Sequence, residues 1–136
     1  MTREELCALA VDAMAQAYAP YSGYTVGAAL LAADGTVYTG CNIENASYTP
    51  TVCAERTAFF KSVSEGKRDF TMLAVAGGQG GQLDGAFPPC GVCRQVMAEF
   101  CSPDFPVLVV DGADSFRTYT LQELLPLSFG PSHVGK

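Results

Sequence analysis

Residues 88–96 read PPCGVCRQV, so Cys90 and Cys93 stand three apart, directly after a proline pair, where a helix begins. A Cys-x-x-Cys pair of this kind serves as a redox dithiol, as half of a structural zinc site or as half of a catalytic one. A second stretch, TVCAERTAFF at 51–60, sets Cys53 and Glu55 at the start of another helix. If the two helix N-termini meet at one end of a sheet, three thiolates can converge on one Zn²⁺ and leave a fourth position open, as a catalytic site requires. Helix N-termini suit thiolates, because their unpaired N–H groups and positive dipole ends favour the anion. Three thiolates on Zn²⁺ carry a formal charge of −1. Arg56 is placed to offset part of it by hydrogen bonding to a thiolate sulfur, and Arg94 is a second candidate. Glu55, two residues after Cys53, is placed to move a proton between water and a substrate.

The elements that must position these residues follow from the pattern. Apolar residues at helical spacing, from Leu6 to Ala17, predict a helix over 4–18, opened by Thr2 and ended by Pro20. TVGAALLAADGTVYTGCNI reads as a hairpin turning at Asp34-Gly35. The loop ENASYTPTV leads to a helix, CAERTAFFKSVSEG, that Gly66 closes. FTMLAVAGG is a buried strand, and residues 77–86 form a glycine-rich loop. That loop lacks the lysine and spacing of a phosphate cradle. A helix from Cys90, a strand FPVLVVD, a strand SFRTYT and a short helix LQELLPL complete the chain. The alternation predicts an α/β domain with a mixed sheet.

Composition narrows the functions. The 136 residues are 49% hydrophobic, which allows one sizeable core, and 1–136 reads as a single domain. The formal net charge of −6, with no basic cluster longer than KRD at 67–69, argues against a nucleic-acid polymer as partner. No apolar run has membrane-spanning length. The N-terminal stretch reads as a helix and not as a signal peptide, because Glu4, Glu5 and Asp12 interrupt it. The expectation is a cytoplasmic protein whose six cysteines bind metal, react or pack, rather than form disulfides. Cys7, Cys41 and Cys101 lie in apolar stretches and read as packing residues. His133, the single histidine, lies in a tail read as frayed and exposed.

Taken together, the "CAE" of 53–55 and the "PCGVC" of 89–93 match the zinc deaminase signature, with a glutamate that is not a ligand. With YAPYSGYTVGAALL, GCNIENASY, CAERTAFFKSVSEG, MLAVAGG, PCGVCRQV and LQELLP in that order, the chain resembles the short, homotetrameric type of cytidine deaminase over nearly its whole length. The resemblance implies a three-layer α/β/α fold around a mixed five-stranded sheet. It implies Zn²⁺ on Cys53, Cys90 and Cys93, with Glu55 as proton shuttle. It further implies hydrolytic deamination of cytidine and deoxycytidine to uridine and deoxyuridine, with release of ammonia, in pyrimidine salvage. Asn42 and Glu44, two apart on an extended segment, are implied to hold ribose hydroxyls. Tyr24 is implied to flank the nucleoside where the family usually has Phe. Phe129 is implied to reach a neighbouring subunit's site in a homotetramer with sites at its interfaces.

Three rival functions share parts of this pattern. Deamination of a cytosine-containing antibiotic such as blasticidin S keeps the chemistry but has no use for the CNIEN pair. A thiol redox protein using Cys90 and Cys93 leaves Cys53 and Glu55 without a role. An RNA- or DNA-editing deaminase conflicts with the acidic balance.

Overall fold

The computed structural model describes all residues, Met1–Lys136. Its elements are α1 (Arg3–Ala13), β1 (Tyr24–Ala32), β2 (Val37–Cys41), α2 (Ala54–Ser64), β3 (Phe70–Gln79), α3 (Gly91–Phe100), β4 (Pro106–Gly112), β5 (Ser115–Thr120) and the one-turn α4 (Leu121–Leu124). The strands form one sheet in the order β2-β1-β3-β4-β5. Only β3 and β4 run parallel; the other neighbours are antiparallel.

Alternation along the strands divides the core in two. Ala29 and Leu31 of β1, Met72, Ala74 and Ala76 of β3, and Leu108 and Val110 of β4 pack against Leu6, Cys7, Ala10 and Met14 of the N-terminal segment. Ala28, Leu30, Leu73, Val75, Val107 and Val109 point to the other face and meet Ala54, Ala58 and Phe59 of α2 with Cys93 and Met97 of α3. β3 and β4 are buried on both faces, which is why their sequences read as unbroken apolar runs. The result is the expected three-layer α/β/α arrangement on a mixed five-stranded sheet.

Strand direction decides where the helices begin. β2 and β3 each lie antiparallel to β1 and therefore run the same way. Cys41, at the end of β2, and Ala76, near the end of β3, both pair with Gly27. α2 follows β2 and α3 follows β3, so both helices start beyond the same end of the sheet, on the same face.

Three local expectations are corrected. The first helix stops at Ala13, and Met14–Gln16 tighten into a 3₁₀ turn. Tyr18 is drawn into a bridge with Ile43, donating its N–H to Asn42 O at 3.0 Å, before Pro20 can act. The glycine-rich loop starts later than expected, because Gly77 and Gly78 pair with Val26 and Thr25 as part of β3. The C-terminal tail folds into a 3₁₀ turn over Pro131–Val134, in which His133 Nδ1 accepts from Gly130 N at 3.1 Å.

Candidate functional site

Cys53 and Cys90 are the N-cap residues of α2 and α3, and neither uses its side chain to cap its helix. Both sulfurs therefore stay available. Cys93 lies one turn into α3, fully buried. The three sulfurs lie within 4.8 Å of one another, with Cys53 Sγ to Cys90 Sγ at 3.6 Å and Cys90 Sγ to Cys93 Sγ at 3.5 Å. Donors about 2.3 Å from a tetrahedral Zn²⁺ stand about 3.8 Å apart, so this sulfur set fits the ion with little adjustment and leaves one coordination position free of protein. Thr57 fixes the first turn of α2 to the sheet by donating its hydroxyl to Cys41 O at 3.0 Å.

Arg56 Nη2 donates to Cys53 Sγ at 3.4 Å, as the sequence suggested. Its Nε is buried and has no partner. Hydrogen bonds from Cys93 and then Arg56 hold Cys53 down at about 5, as a thiolate, against the opposing effect of burial. The neighbouring Cys53 pushes Cys93 well above the ordinary thiol range, with burial and the Glu55 charge acting the same way. Glu55, on the first turn of α2, is 4% exposed. Burial pushes its carboxyl up to about 7, a value suited to giving and taking a proton near neutrality.

Beside the sulfurs lies a cavity of about 280 Å³, whose wall includes Val26, Asn42, Glu44, Glu55, Phe87 and Cys90. Asn42 and Glu44 thus face one space with Glu55. Much of their bonding capacity is already used. Asn42 Oδ1 accepts from Val26 N and its Nδ2 donates to Tyr24 O, both at 2.8 Å, leaving one lone pair and one N–H. Glu44 Oε1 accepts from Tyr21 N at 3.0 Å and Ser22 N at 3.1 Å, and Oε2 accepts from the Ser22 hydroxyl. These bonds, Ser22's foremost, hold the Glu44 carboxyl below its ordinary range.

Other candidates lie apart. Tyr24 is not in the cavity wall; its ring packs on Phe87 with centroids 5.8 Å apart. Phe87 was missed in the sequence, where the only signal was an aromatic residue directly before the proline pair. Phe129 is 60% exposed and stacks on His133 at 5.1 Å, away from this chain's own cavity. Arg94 is not beside a thiolate: its Nε donates to Pro89 O and its Nη1 to Leu124 O. Cys7, Cys41 and Cys101 stand outside the sulfur cluster. A cavity of about 320 Å³ between α1 and the β4–β5 turn has Cys7 as its sole thiol.

Residues 1–109 match the family described as "Cytidine and deoxycytidylate deaminase zinc-binding region". The chain is 51% identical over 129 residues to a cytidine deaminase of Sporosarcina psychrophila, covering 95% of this chain and 92% of that one. It is 49% identical to a cytidine deaminase of Halalkalibacterium halodurans, covering 95% of each. Among solved structures, the 1.6 Å crystal structure of cytidine deaminase from Burkholderia pseudomallei superposes with a TM-score of 0.87 at 44% identity, over 95% of this chain and 100% of that one. A fold that brings two N-capping cysteines, a third thiol and a buried glutamate to one cavity, together with these likenesses, places the chain in the zinc-binding cytidine and deoxycytidylate deaminase family.

Proposed function

We propose that this protein is a cytidine deaminase that hydrolyses the exocyclic C–N bond of cytidine and deoxycytidine, giving uridine or deoxyuridine and ammonia. The observation that carries the reading is the buried Glu55 carboxyl, raised toward neutrality by burial, in the wall of the same cavity as Cys53 and Cys90. Cys53, Cys90 and Cys93 would hold Zn²⁺. Bound there, the ion would act as a Lewis acid that makes water nucleophilic near neutral pH. Glu55 takes a proton from the attacking water and delivers it to N3 of the pyrimidine. A second proton, from the added hydroxyl, leaves with the amino group as ammonia, so atoms balance. Arg56 offsets thiolate charge. Asn42, with one amide proton and one lone pair to spare, and Glu44 orient the ribose.

The wider reading is a homotetramer serving pyrimidine salvage in the cytoplasm, with Phe129 completing a neighbour's site. Its exposure, and its absence from this chain's own cavity wall, support that role. The net charge of −6 supports a free nucleoside over a polymer as substrate. No helix is long and apolar enough to cross a membrane.

The test is Glu55→Gln. Zinc content is expected to stay stoichiometric while ammonia release from cytidine falls by roughly 10²–10⁴, the usual worth of a positioned acid–base. Near-normal turnover would remove Glu55 from the mechanism. Cytidine, deoxycytidine and blasticidin S assayed side by side separate nucleoside from antibiotic as substrate.

A further inference from the structure

We propose that Phe87 is the residue of this chain that meets the flat face of the pyrimidine, and so sets the cavity's preference for an aromatic base. The proposal rests on the deaminase reading above. Phe87 is the only aromatic side chain in the cavity wall that also holds Asn42, Glu55 and Cys90. A ring there offers a base the offset or tilted contact that aromatic groups favour.

Three features hold the ring in place. Gly77 of β3 forms its seat: a Cβ at that position would stand 2.7 Å from Phe87 Cγ and 3.0 Å from its Cβ and Cδ2. Only a residue without a side chain lets the ring lie this close to the sheet. Tyr24 braces Phe87, its ring tilted by 44°. Pro88 restricts the Phe87 backbone to extended conformations, which limits where the ring can swing. Tyr24 is thus a positioning residue: it acts on the base through Phe87 and through its carbonyl bond to Asn42 Nδ2.

The zinc-loaded enzyme is compared as wild type, Phe87→Leu, Phe87→Ala, Gly77→Ala and Tyr24→Ala. KM and kcat for cytidine come from ammonia release, uridine affinity from titration calorimetry, and folding from zinc content and melting temperature. Phe87→Leu keeps an apolar side chain but removes the π face. It is expected to melt near wild type and to weaken KM and uridine affinity together by about tenfold, within the range of base–aromatic stacking, while kcat changes much less. Gly77→Ala, which alters no residue of the cavity wall, is expected to raise KM in the same sense. Tyr24→Ala is expected to raise it by a smaller factor than Phe87→Ala. A Phe87→Leu enzyme with both constants at wild-type values overturns the proposal, as does a Tyr24→Ala effect larger than that of Phe87→Ala. A wild type that binds uridine but releases no ammonia from cytidine would sink the deaminase reading alone. The uridine affinities of the variants would still decide the stacking.

Discussion

Arg94 Nε donates to the carbonyl oxygen of Pro89 at 2.7 Å, one residue before the N-capping Cys90. Its Nη1 donates to Leu124 O at 2.6 Å, so one guanidinium ties the entry to α3 to the end of α4. The sequence suggested a charge partner for sulfur; the structure gives a clamp on backbone carbonyls. Arg94→Ala leaves both carbonyls without their charged donor and is expected to cost roughly 2–4 kcal/mol of stability. Zinc should also dialyse away faster, because the chain carrying Cys90 loosens. Arg94→Lys should recover only part of either effect, since one ammonium cannot reproduce the planar fork. Denaturant melts and zinc retention against a chelator measure both. Wild-type zinc retention in Arg94→Ala would refute the positioning role.

Metal uptake should be linked to pH through Cys93. Beside Cys53 and buried, that thiol holds its proton well above the ordinary thiol range. Zinc binds thiolate, so loading must expel the proton. Apparent zinc affinity is therefore expected to rise with pH and to fall on acidification. Calorimetric titration of the apo-protein in two buffers of different ionisation enthalpy should show net proton release. A buffer-independent heat would contradict this linkage.

Much of this arrangement is legible in the residues, and the exceptions share a cause. The apolar runs of β1, β3 and β4 report burial on both faces directly. The CAE and PCGVC stretches carry the sulfur cluster because a strand's direction fixes where its following helix starts. Phe87 was not legible, since its place depends on the absent side chain of Gly77 in another element. Nor was the early end of α1, which a bridge between Tyr18 and Ile43 imposes. Gly78 reads as loop but belongs to β3, where a Cβ would collide with Gln82 O and lie 2.7 Å from Asp84 N. The misses depend on contacts that no local pattern encodes: Gly77 with Phe87, Gly78 with Thr25, and Tyr18 with Ile43.

The cysteines outside the cluster should reveal themselves at high pH. Burial, aided by the Glu4 charge, pushes Cys7 up to about 11, and burial pushes Cys101 up to about 12, from 9.0 for an ordinary thiol. A raised native pKa means the folded state holds the proton more tightly. The stability tied to these neutral thiols is then intact below pH 9 and is lost as pH climbs through 11 to 12. Melting temperature should decline across that window, and less steeply in a Cys7→Ala/Cys101→Ala protein measured against its own neutral-pH value. Equal slopes would show that other groups drive the alkaline loss. In the native protein at pH 8, alkylation followed by mass spectrometry should leave both thiols unmodified.

Two glycines with the same packing task allow stability to be separated from the metal site. Gly27 of β1 lies under the N-terminal helix: a Cβ there would run into Ala10 O and come 2.6 Å from Met14 N. Gly40 of β2 lies under α2, where a Cβ would run into Ala54 O and come 2.7 Å from Ala58 N. In each case the obstacle is backbone, which cannot rotate aside, so the helix itself must lift from the sheet. Either alanine should cost roughly 3 kcal/mol, the upper end of ordinary overpacking. Only α2 carries Glu55 and is capped by Cys53. Gly40→Ala should therefore also lower zinc affinity and turnover, as the first turn of α2 moves away from Cys90. Gly27→Ala should lose comparable stability on the opposite face while the folded fraction keeps its zinc and its turnover per bound metal. Chemical denaturation, zinc stoichiometry and ammonia release per zinc distinguish the two. Equal loss of zinc in both variants would mean that the sulfur cluster depends on global stability and not on the seat of α2.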